Sequence, residues 1–482
     1  MSGSVTVPGG SGSVVTVAPG TGDVLQLAQQ IGALLGADST AGTLTVTTVS
    51  GGSIPPAPTV SGTTNELIIT GAGPGSATIP SGYGYVVNTA TGPQTLTGSN
   101  TDIIGGTVGS SYNVSGNSTV AATGGNNTVS ASGNYVLSFG AGNNLINADG
   151  SGLIATDTGN STVNAGGANN NIFLFGGNDL VSLGGSGETV SGGSGNSTVD
   201  GGGANALLFG DFTGTPGNLT ANLSGAQATV ATGDSNASLT LGGSNDLVGG
   251  GSGTLNVTDN GTNDTIVGSS GAATVSAGTG SGLILFGGAG GLTFVGGANA
   301  STVLGAATDN SITGGTGGVF LNSTGTDTVT GQAPGGATIF ASGSNIVTYL
   351  GAGDLQYTAW AGNDTLNAAG SSGTNSLFAT GTGNDSLVGG SGTNYFDAGS
   401  GADTFTGGAG SNVYSFLASN TAGAHDFITD LSSTDSVNLF GYNQADSTIS
   451  VSGGSTTLTL SDNTKITFVN VTDITHNIHY GS

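Results

Sequence analysis

Residues 380–415 read TGTGNDSLV, GGSGTNYFD, AGSGADTFT, GGAGSNVYS, four consecutive blocks of nine. Each fits the template G-G-x-G-x-D-x-U-x, where U is a large apolar residue and the sixth position alternates between Asp and Asn. Glycine lets the backbone take the positive φ of a tight turn and leaves its carbonyl oxygens accessible. The sixth residue adds a side-chain oxygen, and Leu387, Phe396, Phe405 and Tyr414 are placed to point inward from the strand that follows. Four blocks in phase predict an all-β chain: a right-handed parallel β-roll or β-helix solenoid of nonapeptide half-turns, with consecutive turns about 4.8 Å apart.

With two blocks per turn, every second block shares a column. Asp385 and Asp403 fall on one edge, Asn394 and Asn412 on the other. Upstream, AWAGNDTLN (359–367) adds Asp364 to the first column and GSSGTNSLF (370–378) adds Asn375 to the second. Calcium takes about six to eight oxygens, mixing carboxylates with backbone carbonyls. Ca2+ is therefore expected on the Asp364–Asp385–Asp403 edge, with carbonyls of Gly381, Gly383, Gly399 and Gly401 completing its shell. The Asn column is expected to hydrogen-bond to itself along the stack.

The nine-residue period runs further than the acidic motif. Residues 156–209 form six blocks with Val163, Ile172, Val181, Val190, Val199 and Leu208 at the eighth position. From 223 on, Val230, Leu239, Val248, Val257, Ile266, Val275 and Ile284 continue, and Thr293 in the next block marks a slipping register. Val120 and Val129 open the series, with interruptions expected at 210–222 and 303–337. One inward apolar residue per block builds a narrow core that only stacked neighbours can close. Most sixth positions here are not acidic; Asp246 and Asp264, two blocks apart, are the second candidate metal pair. Isolated Asp179 and Asp327 read as turn caps.

The first 85 residues are different. Val5–Val7, Val14–Val17, Leu44–Val49 and Leu67–Thr70 read as strands, and residues 23–36 as a helix with Asp23 as N-cap and Gly36 as stop. Ile54-Pro-Pro-Ala-Pro58 reads as a stiff linker. The expected organisation is a β-rich cap or assembly segment over 1–85 and a degenerate Gly/Asn-rich solenoid over 86–358. A calcium-binding roll follows over 359–416, and a C-terminal cap over 417–482.

Composition excludes several functions. The chain of 482 residues has 97 glycines, no cysteine, 27 acids and one Lys or Arg, which is Lys465, for a net charge of −26. Phosphate contacts need Lys and Arg, so nucleic-acid binding is excluded, as is a polybasic membrane anchor. No apolar run reaches the ~18–20 residues of a spanning helix. The N-terminal twenty residues lack the basic and apolar regions of a cleavable signal. His425, His476 and His479 all lie in the terminal segment, no thiol is present, and no catalytic constellation stands out, so an enzyme is not expected.

The repeats at 359–415, followed by Ala424–Leu431 and by Asp435-Ser-Val-Asn-Leu439, resemble the repeat-in-toxin (RTX, hemolysin-type calcium-binding) proteins. That resemblance implies a C-terminal signal for a type I exporter within 417–482 and a secreted, extracellular or cell-surface location. The expected role is structural: a homopolymer forming a fibre, surface layer or biofilm matrix, with cell-surface polysaccharide as a further partner. Behind it stand a polysaccharide-active β-helix enzyme, for which Lys465 is the sole Lys or Arg base, and, ahead of that, an adhesin or an ice- or glycan-binding rod. That would need a regular Thr array, and the T-x-T pairs Thr45/Thr47, Thr95/Thr97 and Thr457/Thr459 do not recur at the turn period.

Overall fold

The apolar residue once per block becomes a stacked core column in the computed structural model of the chain, which describes residues 3–20, 22–305, 309–323 and 325–481. The chain divides into two units, residues 1–243 and 244–482. Each is a parallel β-solenoid with two strands per turn, every strand pairing with the one a full turn later. In the first unit Val120 pairs with Leu137 and Leu137 with Ile154 in one sheet, and Val129 with Ile146 and Ile146 with Val163 in the other. All of these are 0% exposed, while their strand neighbours alternate outward. Burying each such side chain contributes roughly 1.5–3 kcal/mol, which is why a thin core suffices when it is continuous.

In the second unit Leu387 lies over Phe405 in one sheet, and Phe396 over Tyr414 in the other. The Phe396 and Tyr414 rings stack at 5.0 Å. All four inward residues of the 380–415 blocks are buried, as their spacing predicts.

The register slip comes one block earlier than its sequence mark. Ile284 is 40% exposed and Leu285 takes the inward place, because Ile266 pairs with Leu285 and Val275 with Phe294. One extra residue enters between Val275 and Leu285. The loop at 211–217 does interrupt the period, but the strand Asn218–Leu223 is already back in the sheet. The stretch 303–337 is no interruption among its described residues, since Val303 pairs with Leu321 and Leu321 with Ile339. Residues 306–308 and 324 lie outside the described residues.

The parallel stack also begins before residue 86. Leu44–Gly51 pairs with Thr64–Gly73, then come Tyr83–Asn88, Asp102–Ile104 and Asn117–Ala122. It runs past 416 too: Tyr414 pairs with Val437, and Leu439 with Tyr480. These turns lack the glycine template, so the period hides them.

Among the described residues, an antiparallel hairpin (Gly3–Pro8 with Val14–Gly20) and the helix Gly22–Ala41 precede the stack. The helix runs through Gly36, whose position has open space around it, and stops at Gly42 with φ +72°. Asp23 sits in its first turn instead of at its cap. Tertiary packing outweighs the ~1 kcal/mol that an internal glycine costs. Hairpin and helix lie on the side of the stack, where Ile68, Val87, Ile104 and Ala121 form an outward apolar row that Val24, Ala28, Ile31 and Leu35 cover.

Glu66 lies on that same outward face, between Val46 and Tyr85 of the adjoining strands. It is 0% exposed and neither carboxylate oxygen has a hydrogen-bond partner. The titratable groups on the elements packed here are Asp23, Asp38, Tyr83, Tyr85 and Asp102, none of them a base. Burial pushes the Glu66 carboxyl up to about 7. A carboxyl raised in the folded state favours folding fully below its unfolded value near 4.5, and that contribution is lost as pH rises through about 7. Chemical denaturation of the protein should show stability falling from pH 4.5 to about pH 8. Glu66→Gln should remove about 2 kcal/mol of that fall; an unchanged pH slope in the variant would contradict the burial argument.

Candidate metal centre

Along one edge of the second unit, each turn is tied to the next through its sixth position. The Asp364 backbone N–H donates to Asp385 Oδ1 at 2.8 Å, and the Asp385 N–H to Asp403 Oδ1 at 2.9 Å. The column extends both ways. Asn345 N–H donates to Asp364 Oδ1 at 2.8 Å, and Asp403 N–H to Asp426 Oδ1 at 3.0 Å. All four Asp side chains are buried. Asp426 was hidden in the sequence because 23 residues separate it from Asp403. The signal that finds it is Asp-x-apolar: Asp426-x-Ile428 repeats Asp385-x-Leu387 and Asp403-x-Phe405.

Glycine makes this stacking feasible. A Cβ on Gly383 would stand 1.5 Å from the Gly362 carbonyl oxygen, and one on Gly401 1.5 Å from that of Gly383. The loops therefore lie backbone on backbone, with no room for a side chain. The Gly381 carbonyl accepts from Ser400 N–H at 3.2 Å, and the Gly399 N–H is directed at the Asp403 carboxylate.

The second oxygens are the telling ones. Oδ2 of Asp364, Asp403 and Asp426 is buried without a hydrogen-bond partner. Burial pushes Asp364 and Asp403 up to about 6 and Asp426 up to about 8, against the lowering effect of the backbone N–H each accepts. Asp385 is raised by burial as well. The neighbouring carboxylate adds repulsion in each of the three valued cases. Lys465, the one basic residue apart from histidine, is exposed beside His425 and not in the column. Buried carboxylates that keep an oxygen without a hydrogen-bond partner, on turns of stacked glycine, fit a hard divalent cation. Among the described residues no three His, Asp or Glu side chains stand close enough to hold a metal by themselves. Backbone carbonyls must supply the remainder of any shell here.

From Asn375 to Asn412 the opposite edge is neutral and bonded to itself, as its Asn column predicts. Asn375 Nδ2 donates to Asn394 Oδ1 at 2.6 Å, and Asn394 Nδ2 to Asn412 Oδ1 at 2.7 Å. The ladder ends on Asp435, whose Oδ1 accepts from Asn412 N at 2.8 Å and Nδ2 at 3.1 Å. Asn394 is also bonded to Gly407 O and to the Gly390 N–H. Asp435 is the carboxylate at this end, and its second oxygen is met as well, accepting from the Ser432 N–H at 2.7 Å.

The upstream pair is stacked in the same manner, Asp246 N–H donating to Asp264 Oδ1 at 2.7 Å. Burial first, then the Asp259 and Asp246 carboxylates, push Asp264 up to about 7. Asp259 is an acidic neighbour that the repeat pattern misses, since it falls outside the sixth position. The isolated acids Asp179 and Asp327 each bond to the preceding turn. Asp179 Oδ1 accepts from Ser161 N–H at 2.8 Å, one turn back, and Asp327 Oδ1 from Asn310 Nδ2 at 2.5 Å. Glu188 and Asn144 do the same work for Asn170 and Asn127.

His425 is exposed, its ring stacked on Phe427 at 4.6 Å and its Nε2 3.0 Å from Thr467 Oγ1. A hydroxyl column that the sequence period conceals runs along the outer face of one sheet: Thr274, Thr293, Ser311, Thr328 and Thr348 are in register on successive turns. The turn length varies along it, which removes any fixed spacing.

Comparison with known families matches residues 380–414 to the RTX calcium-binding nonapeptide repeat, in four copies. No curated protein matches the chain.

The two edges should respond differently to substitution. Asn394→Ala deletes several buried hydrogen bonds at once and should cost about 2–4 kcal/mol by chemical denaturation. Its calcium stoichiometry by calorimetry should not change, because Asn375, Asn394 and Asn412 contribute no anionic oxygen; loss of an ion would show that the edges are not independent.

Proposed function

With RTX calcium-binding repeats at 380–414 as premise, we propose that this β-solenoid structural protein is extracellular and assembles with copies of itself into a fibre, surface layer or biofilm matrix. One observation supports the reading most: stacked, buried carboxylates with orphaned oxygens in a chain of 27 acids and a single Lys or Arg. RTX repeats bind calcium. On this reading the ions lie between turns at Asp364, Asp385 and Asp403, Asp426 adds a further rung, and carbonyls of Gly381, Gly383, Gly399 and Gly401 complete the shells. Asp246 and Asp264 form a weaker second position. Calcium in the exterior then stabilises only the folded chain, by mass action.

The proposed route outward is a type I exporter reading a signal in 417–482. Among the described residues no helix is long and apolar enough to cross a membrane. A scaffold role without catalysis accords with three histidines confined to the terminal segment. Cell-surface polysaccharide is a fitting anchor for such a polymer. The column of Thr274, Thr293, Ser311, Thr328 and Thr348 favours a second reading, in which that face binds a glycan or ice.

Two measurements test the main reading. The double variant Asp385→Asn/Asp403→Asn keeps an oxygen for each backbone N–H while removing both charges. It should remain folded yet bind fewer calcium ions by calorimetry; an unchanged stoichiometry overturns the site assignment. Full-length protein in millimolar-range calcium should sediment as large polymers, whereas a monomer at every calcium level overturns self-assembly.

A further inference from the structure

The second unit ends one of its sheets in an antiparallel extension. Lys465–Phe468 pairs with Ser455–Thr459, and that strand with Thr448–Ser452. Thr448–Ser452 has no strand on its other side among the described residues, and all five of its residues are exposed. Ile449 and Val451 are 57% and 55% exposed, large values for β-branched apolar side chains. Natural edge strands are usually protected by charge, proline or a bulge. The sequence TISVS has no charge and no proline, and it pairs without a register shift.

The turn decides which backbone groups are free. Ser452 and Ser455 flank Gly453 and Gly454, both at positive φ (+57° and +80°), the two-residue turn of a tight hairpin. Residues flanking such a turn form a hydrogen-bonded pair, and the pattern alternates from there. Ser452, Ser450 and Thr448 therefore bond inward to the hairpin. The N–H and C=O groups of Ile449 and Val451 point outward, unpaired.

We propose that this edge pairs with the same edge of a second copy, antiparallel and two-fold about Ser450. The inference rests on the self-assembly reading and names one interface within it, since a two-fold contact alone closes as a dimer. In that register Ile449 faces the partner's Val451, and Val451 faces the partner's Ile449. The outward groups of 449 and 451 are then matched, giving about four backbone hydrogen bonds. Ile449 and Val451 share one strand face, so pairing also gathers an apolar patch from both copies. No like charges meet, because the strand has none. A strand whose free groups and apolar residues are both complementary to their own two-fold image selects a second copy as its occupant.

The chain has no cysteine, so Ser450→Cys introduces its sole thiol. The two-fold places the two copies of position 450 in a non-hydrogen-bonded pair with Cα atoms about 4.5 Å apart, within disulfide range. In calcium and mild oxidant, Ser450→Cys should cross-link as dimers at least tenfold faster than Ser400→Cys, an exposed position in the roll. Val451→Pro, which removes an outward N–H and spares the hairpin bonds, should weaken association by sedimentation while retaining its calcium stoichiometry. Equal cross-linking of the two thiol variants, with the unmodified protein still polymerising, overturns this interface and leaves self-assembly intact. An unmodified protein that never associates overturns both. Should Val451→Pro lose its calcium stoichiometry, the thiol pair alone decides.

Discussion

Stacked turns leave a backbone N–H at every sixth position facing the next turn, and that donor must be met. A buried N–H without an acceptor costs about 1–3 kcal/mol, and a solenoid repeats the problem at each step. This chain answers with the sixth-position side chain of the following turn. Asp385 serves Asp364, Asp179 serves Ser161, Glu188 serves Asn170 and Asn144 serves Asn127. Where a rung forms it uses an oxygen, and charge is secondary; Ala206, Ala237, Leu255 and Ala273 hold the sixth place without one. Upstream turns can thus replace Asp by Asn without losing the architecture, and the fold outlasts the acidic motif along the chain.

Charge is superimposed on that scheme at chosen places. A carboxylate rung gives a stronger bond to the N–H, and it leaves a second oxygen that no protein donor reaches. At Asp364, Asp403 and Asp426 that oxygen is buried, so each rung requires a proton or a cation. The amide edge from Asn375 to Asn412 has the opposite character, saturated and neutral. One roll thus carries a carboxylate edge and an amide edge, separated only by the width of its core.

The repeat core was legible because three signals agree there: glycine where backbones touch, oxygen at the sixth place, an apolar side chain at the eighth. Gly383 and Gly401 show why the first is strict, since any Cβ would overlap a carbonyl. Legibility failed where one signal lapsed. Turns from 44 to 88 have inward Leu67 and Val86 but no glycine template, so they resembled a separate region. Asp426 kept oxygen and apolar residue, yet a longer connection displaced it from the period. The helix outran Gly36 because its apolar side rests on Ile68, Val87, Ile104 and Ala121, a surface that local sequence cannot reveal. The Thr274–Thr348 column was invisible for a related reason: register is set by pairing, and pairing absorbs insertions that spacing cannot.

The rungs also have a polarity. In the rungs named above the donor belongs to the earlier turn and the acceptor to the later one, at Ser161 and Asp179 in the first unit and at Asp403 and Asp426 in the second. A growing stack therefore presents different chemistry at its two faces. Growth from the C-terminal side exposes waiting carboxylates, which can gather cations from solvent before another turn seals them in. Growth from the N-terminal side exposes bare N–H groups and would bury each carboxylate as it arrives, with no interval for ion loading. On the proposed export route the last residues would emerge first, and each completed Asp-bearing turn would then be a charged template for the one that follows.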